Sequence, residues 1–267
     1  MALNKYFWLS DIHLNLLRPE ELSSFFNKLV DTKVDGLFIT GDISSGFEII
    51  NNLEQLAQTF TNSIFFTIGN HDTYRVYLSE TKDMIANLQL KYSNLHYMTT
   101  EGVTILNQDV ALIGDDGWYD GLWREPFTSW VFAWDWYWIK DFRSLFSTKD
   151  KLELMRELAN EATIRVRSKL DKAFENRSLV YLLTHIPPWP ATYRLKLFEK
   201  FWTPYNSSKL MATMLKDYMD NIPEKNLIVL SGHTHIRRRE QITSNIELRV
   251  AEADFGSPVI QELIWIS

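Results

Sequence analysis

The chain contains six histidines, and five of them sit in polar clusters that each follow a short apolar run. His13 lies in "SDIHLN", His71 in "IGNHD", His185 in "LLTHIPP", and His233 and His235 in "SGHTH". Asp11 stands just before His13, Asp42 opens "DISSG" after "LFITG", and Asn70 precedes His71. Only His96, in "NLHYM", lacks such company, and a structural role is expected for it. Imidazole, carboxylate and amide oxygens without thiolate suit borderline divalent or trivalent ions such as Mn, Fe or Zn. The set holds more donors than one ion needs. Two adjacent ions sharing a carboxylate would use them all. Such a pair clamps the attacking and leaving oxygens of an in-line displacement and sharpens a water into hydroxide. Any one of these motifs alone reads more readily as a cap, a turn or a surface histidine. The ordered set, each member at a strand end, is what argues for a site.

Strands must carry these clusters. Apolar runs of strand length recur at Lys5–Ser10, Gly36–Thr40, Ser63–Ile68, Val110–Gly114, Leu179–His185 and Asn226–His233. Between the first three lie helical patterns, "RPEELSSFFNKLVDTK" and "GFEIINNLEQLAQTF", the former with Pro19 near its start. Alternation of strand and helix predicts parallel pairing with helices on the faces. The carboxyl ends of such strands converge on a common crevice, so residues far apart in sequence meet there. After His235, "EQITSNIELRVAEA" and "VIQELIWIS" read as consecutive strands without a helix between them. The expected fold is therefore α/β, with a mixed β-sandwich core flanked by helices. A long charged helix is expected from Thr148 to about Asn176.

Composition narrows the class. A hydrophobic share of 45% rules out long disorder. A net charge of −6 gives no electrostatic reason to wrap nucleic acid. The absence of cysteine excludes disulfides and thiolate metal sites. No basic-then-apolar leader is visible and no run is long enough to span a bilayer, so a soluble cytoplasmic protein is expected. No Pro/Gly/Ser linker or repeat divides residues 1–267, which reads as a single domain.

The ordered motifs "DIH", "GD", "GNHD", "TH" and "GHTH" resemble the calcineurin-like metallophosphoesterase superfamily, from Asp11 to His235. The resemblance implies hydrolysis of a phosphodiester or phosphomonoester by metal-bound hydroxide, at two divalent or mixed-valence ions of Mn, Fe or Zn. It assigns Asp11, His13 and His235 to one ion, Asn70, His185 and His233 to the other, and Asp42 to the bridge. It makes His71 the residue that faces the scissile phosphate, stabilising charge or protonating the leaving oxygen, and Asp72 the acid that orients it. Departures narrow the subfamily. "GDISSGFE" and "GNHD" differ from the Arg-containing and "GNHE" motifs of the protein phosphatases. Lipid A precursor hydrolases typically carry Arg where His71 stands. Nucleases of the superfamily have an extra domain not recognisable here. A small-molecule or nucleotide phosphoester is the favoured substrate, with a non-catalytic protein-binding scaffold on the same fold as the alternative.

One feature lies outside those motifs. Residues 117–143 form an aromatic-rich insertion that includes "GWYDGLWREPFTSWVFAWDWYWIKDF", Gly117 to Phe142, with six of the ten tryptophans. Its period is ambiguous: Trp130, Trp134 and Trp138 fit a helical stripe, whereas Trp134, Trp136 and Trp138 alternate as on a strand. A satellite core is the plainer expectation. The functional expectation is a lid, with Trp118, Trp123 and, from "HIPPWP", Trp189 as aromatic walls for substrate.

Overall fold

The computed structural model describes residues 4–124, 133–190 and 203–267. Two mixed sheets stack face to face. One runs β11–β1–β2–β3–β4, built from β1 (Asn4–Leu9), β2 (Gly36–Thr40), β3 (Ser63–Thr67), β4 (Leu95–Tyr97) and β11 (Glu262–Ile266). Its first four strands are mutually parallel, and β11 is antiparallel to β1. The other runs β5–β6–β7–β8–β10–β9, from β5 (Thr104–Ile105), β6 (Val110–Gly114), β7 (Leu179–Leu183), β8 (Asn226–Ser231), β9 (Arg238–Thr243) and β10 (Ile246–Val250). Here β6, β7, β8 and β10 are parallel, while β5 and β9 close the edges antiparallel.

The apolar runs are continuous because both faces of each central strand are covered. In β1, Tyr6 and Trp8 point between the sheets, where they join Phe38, Phe65, Leu112, Tyr181 and Leu183. The alternate residues Phe7 and Leu9 face outward onto α1 (Pro19–Asp31), α2 (Glu48–Thr59) and α3 (Leu78–Lys91), through Phe26, Leu53 and Ile85. The second sheet does the same. Ala111, Ile113, Val180 and Leu182 pack beneath α6 (Thr148–Phe174) and α7 (Lys209–Asp220), against Val166, Leu170 and Leu215. The layering is helix, sheet, sheet, helix.

The expected strands and the long helix form within a few residues of their sequence bounds. The short edge strands β4 and β5 were not anticipated, having too few apolar residues to show a period. His96 falls in β4, where its ring stacks on Phe65 at 4.8 Å, away from the other histidines. Within the insertion, residues 117–124 are irregular and two short helices follow, α4 (Asp135–Trp138) and α5 (Lys140–Arg143); Trp130 lies outside the described residues. No helix among the described residues is long and apolar enough to cross a membrane.

Candidate metal centre

The loops after β1, β2, β3, β7 and β8 meet at one end of the sandwich. They are tied by backbone bonds: Asp11 N–H donates to Gly41 O at 3.0 Å, His13 N–H to Asp42 O at 3.0 Å, and Gly232 N–H to His185 O at 3.0 Å. The Asp11 carboxylate accepts the His233 N–H at 3.0 Å, which fastens one sheet to the other. Close approach explains two glycines. A Cβ at Gly69 would collide with Asp42 and would sit 2.7 Å from His185 Nε2; one at Gly232 would collide with Ser10 and Asp11. Asp11, His13, Asp42, His233 and His235 all adopt left-handed backbone, with φ between 39° and 70°. Asp and His tolerate that region better than most residues, yet five such positions in one cluster mark a strained site.

Two groups of donors result. In the first, Asp11, His13, Asp42 and His235 each place one donor atom within 4.8 Å of the others, and this cluster can bind a metal ion. His13 Nε2 lies 3.5 Å from His235 Nε2, and His235 Nε2 lies 3.3 Å from Asp11 Oδ1. In the second, Asn70 Oδ1 lies 3.1 Å from His185 Nε2 and 3.0 Å from His233 Nδ1. The outer ring nitrogens bind backbone carbonyls: His185 Nδ1 to Thr40 O and His233 Nε2 to Tyr205 O, both at 2.9 Å. A carbonyl only accepts, so those outer nitrogens carry the protons and the inner ones present lone pairs. Three lone-pair atoms then face one another with no hydrogen between them, an arrangement that a cation satisfies.

Electrostatics agree. Burial, followed by the neighbouring His71, lowers His13 to about 3. Burial lowers His185 to about 3 and also lowers His233. The rings are therefore neutral at pH 7, the form that ligates. Burial, then the charges of Asp11 and Asp72, raises Asp42 well above the carboxylate range. Burial would raise Asp11 too, but hydrogen bonding from His235, together with nearby imidazoles and Ser10, holds it below that range. Adjacent carboxylates of this kind favour a cation between them.

His71 lies beside the centre, with Nε2 3.9 Å from Asp42 Oδ2, its ring stacked on Tyr74, and burial lowering it to about 4. The expectation that Asp72 orients this imidazole needs correction. Asp72 is fully buried, and its carboxylate accepts the backbone N–H groups of Ile43 at 3.1 Å, Ser44 at 2.7 Å and Gly69 at 2.8 Å. It ties the loop after β2 to the loop after β3.

The aromatic walls also differ from expectation. Trp118 is buried, stacked on Phe142 at 5.9 Å within a cluster that includes Trp136, Ile139 and Met155. It is core, because α4 and α5 fold back over it. Trp123 donates Nε1–H to Pro188 O at 3.1 Å, and Trp189 packs on the core beneath α6 and α7. None of the three lines the 170 Å³ cavity beside the donors. That cavity is bounded by Asn70, His71, Tyr74, Trp134, Asp135 and Tyr205. From the described part of the insertion, Trp134 is the tryptophan that lines it.

Three neighbours of the centre were not singled out from the sequence. Phe255 covers it, with its ring 4.7 Å from that of His13 and 4.9 Å from that of His235. Asp135 and Tyr119 lie behind Asn70. Asp135 had one signal: it is the acid inside "FAWDWYW", and a carboxylate among rings must find donors.

Comparison with known proteins gives the same picture. No curated protein matches the sequence. Among solved structures, phosphopantetheinyl hydrolase from Mycobacterium tuberculosis superposes with a TM-score of 0.67 at 14% identity, over 99% of this chain and 96% of that one. A dimetal phosphatase from Danio rerio superposes with a TM-score of 0.59 at 11% identity, over 96% of this chain and 89% of that one. Identities this low speak to the fold alone. The family model for calcineurin-like phosphoesterase matches residues 5–237, a span that runs from β1 through every donor described above. With its two-sheet fold and its histidines and carboxylates gathered at one end, the chain belongs to the calcineurin-like phosphoesterases, a metal-dependent family.

Proposed function

We propose that the protein is a phosphoesterase that hydrolyses a small-molecule or nucleotide phosphoester with two ions of Mn, Fe or Zn. One observation carries the reading most. Asp42 turns Oδ1 toward His185 Nε2, at 3.5 Å, and Oδ2 toward His13 Nε2, at 3.9 Å, so its two oxygens address the two donor groups separately. Asp11, His13 and His235 would hold one ion, Asn70, His185 and His233 the other, and Asp42 both. Bound there, the ions supply water activation and charge stabilisation for an in-line displacement at phosphorus.

The chain's own residues do the rest. His71 stands beside Asp42 and at the cavity wall, where its imidazole can donate a hydrogen bond to the phosphoryl group or a proton to the departing oxygen. Its backbone N–H is held by Asp42 Oδ1 at 2.9 Å, so bridge and acid are placed by one residue. Asp72 fixes the loops from which Asp42 and His71 project. Phe255 and Trp134 flank the centre, where their exposed rings can meet the substrate. Because both sheets contribute donors to one centre, residues 1–267 are read as one domain with the insertion at 117–143.

The test is a screen of the purified, Mn-loaded protein against cyclic nucleotides, dinucleotides, other phosphodiesters and phosphomonoesters. Turnover of one class, abolished in Asp42→Ala, is expected. Absence of hydrolysis across the panel together with absence of bound metal would replace this reading with the protein-binding scaffold.

A further inference from the structure

The insertion reaches into the metal centre itself. Asp135, at the start of α4, is buried with 6% exposure. Its Oδ1 accepts Asn70 Nδ2–H at 2.9 Å and the Tyr74 hydroxyl at 2.7 Å, while its Oδ2 accepts the Tyr119 hydroxyl at 2.6 Å. The other end of the Asn70 amide, Oδ1, points at His185 and His233.

An asparagine amide can turn over at little steric cost, because its oxygen and nitrogen are nearly the same size. Turned over, Asn70 would aim an N–H pair at two imidazole lone pairs, satisfy them, and leave no room for a cation. An acceptor-only group behind the amide forbids that state, since Asp135 would then face the Asn70 oxygen. The two tyrosine hydroxyls donate to Asp135, so its lone pairs are directed and its own carboxylate does not rotate. The carrier is also fixed. Arg75 N–H donates to Trp138 O at 2.7 Å, Lys140 N–H to Val76 O at 3.1 Å, and Leu78 N–H to Asp141 Oδ2 at 2.8 Å, so α4 and α5 are bonded to the segment that follows His71.

We propose that Asp135 is a positioning residue for the metal centre: it locks the Asn70 amide with its oxygen inward, and the insertion thereby completes the ion position formed by Asn70, His185 and His233. This rests on the two-ion reading above. It assigns the insertion a role in the hydrolytic centre as well as at the cavity wall.

Calorimetric titration of the chelator-stripped full chain with Mn tests it without using activity. Wild type is expected to take up two ions. Asp135→Ala should weaken one of them by about 10- to 100-fold, the usual effect of removing a group that orients a ligand, and leave the other unchanged. Asp135→Asn should recover most of the loss, because a side-chain carbonyl still accepts the Asn70 N–H. Tyr119→Phe, which removes a single hydroxyl, should weaken the same ion by a smaller factor and serves if the Ala variant does not fold. Two unchanged affinities in Asp135→Ala overturn the proposal. So do two affinities that fall together along with the melting temperature of the metal-free protein, since Asp135 would then merely hold the fold. A wild type that binds fewer than two ions overturns the functional reading and this inference with it.

Discussion

Tyr74 stacks on His71, with 4.4 Å between ring centroids and 29° between planes. The same Tyr74 holds Asp135 through its hydroxyl. The imidazole thus rests on a ring face, its backbone is held by Asp42, and the Asp72 carboxylate is occupied elsewhere.

If His71 serves the leaving oxygen, His71→Ala should keep both ions and lose rate. General acid catalysis contributes on the order of 10²–10⁴-fold, and the loss should shrink for a nitrophenyl ester, whose leaving group needs little protonation. Rates for alkyl and nitrophenyl esters, measured beside metal content, check this. An equal loss for both esters would mean that His71 binds the ground state or perturbs the ions.

Asp42→Ala should remove activity and both ions together, because each of its oxygens faces a different donor group. Elemental analysis after loading with Mn is the measurement. A variant that keeps two ions per chain would show that Asp42 does not bridge.

Asp72→Ala should act on stability first. Three buried backbone N–H groups lose their acceptor. Leaving a buried donor unmade costs ~1–3 kcal/mol, so a loss of about 3 kcal/mol or more is expected in denaturant unfolding. Asp72→Asn, which keeps a carbonyl oxygen, should lose less. If Asp72→Asn instead keeps full stability and erases the leaving-group dependence described for His71, the orienting role is right after all.

These cases show what was legible before the structure. The donors were, because each ends an apolar run, and parallel strands deliver their carboxyl ends to one edge. The sandwich was legible for the same reason: strands buried on both faces are apolar throughout, and the hairpin β9–β10 follows β8 without a helical pattern. The job of Asp72 was not. An acid beside a histidine suggests a pair, but backbone N–H groups brought from the loop after β2 by tertiary packing compete for the carboxylate, and no local pattern records them. Asp135 was hidden similarly, since its partners Asn70, Tyr74 and Tyr119 come from two separate stretches of chain. Trp118 and Trp134 look alike in sequence; only the fold-back of α4 and α5 buries one and leaves the other at the cavity.

That contrast gives the last prediction. Trp118 is 6% exposed and stacked in the core, whereas Trp134 is 58% exposed and lines the cavity beside Asn70 and His71. Trp118→Ala should therefore destabilise by ~3–5 kcal/mol, the range for deleting a large buried ring, with KM unchanged in the folded fraction. Trp118→Phe should cost less, because the indole Nε1–H is buried without an acceptor and is no loss. Trp134→Ala should leave the melting temperature nearly unchanged. Stacking of a base or another flat group on an aromatic ring is worth ~1–3 kcal/mol, so KM for a substrate with a flat leaving group should rise by about one to two orders of magnitude. A small alkyl diester, too short to reach the ring, should be hydrolysed as before. Steady-state kinetics on both substrates, beside thermal melts of both variants, decide the matter. If Trp134→Ala slows both substrates alike, the ring shields the centre from water and selects nothing; if it changes neither, the flat group leaves from another side of the cavity.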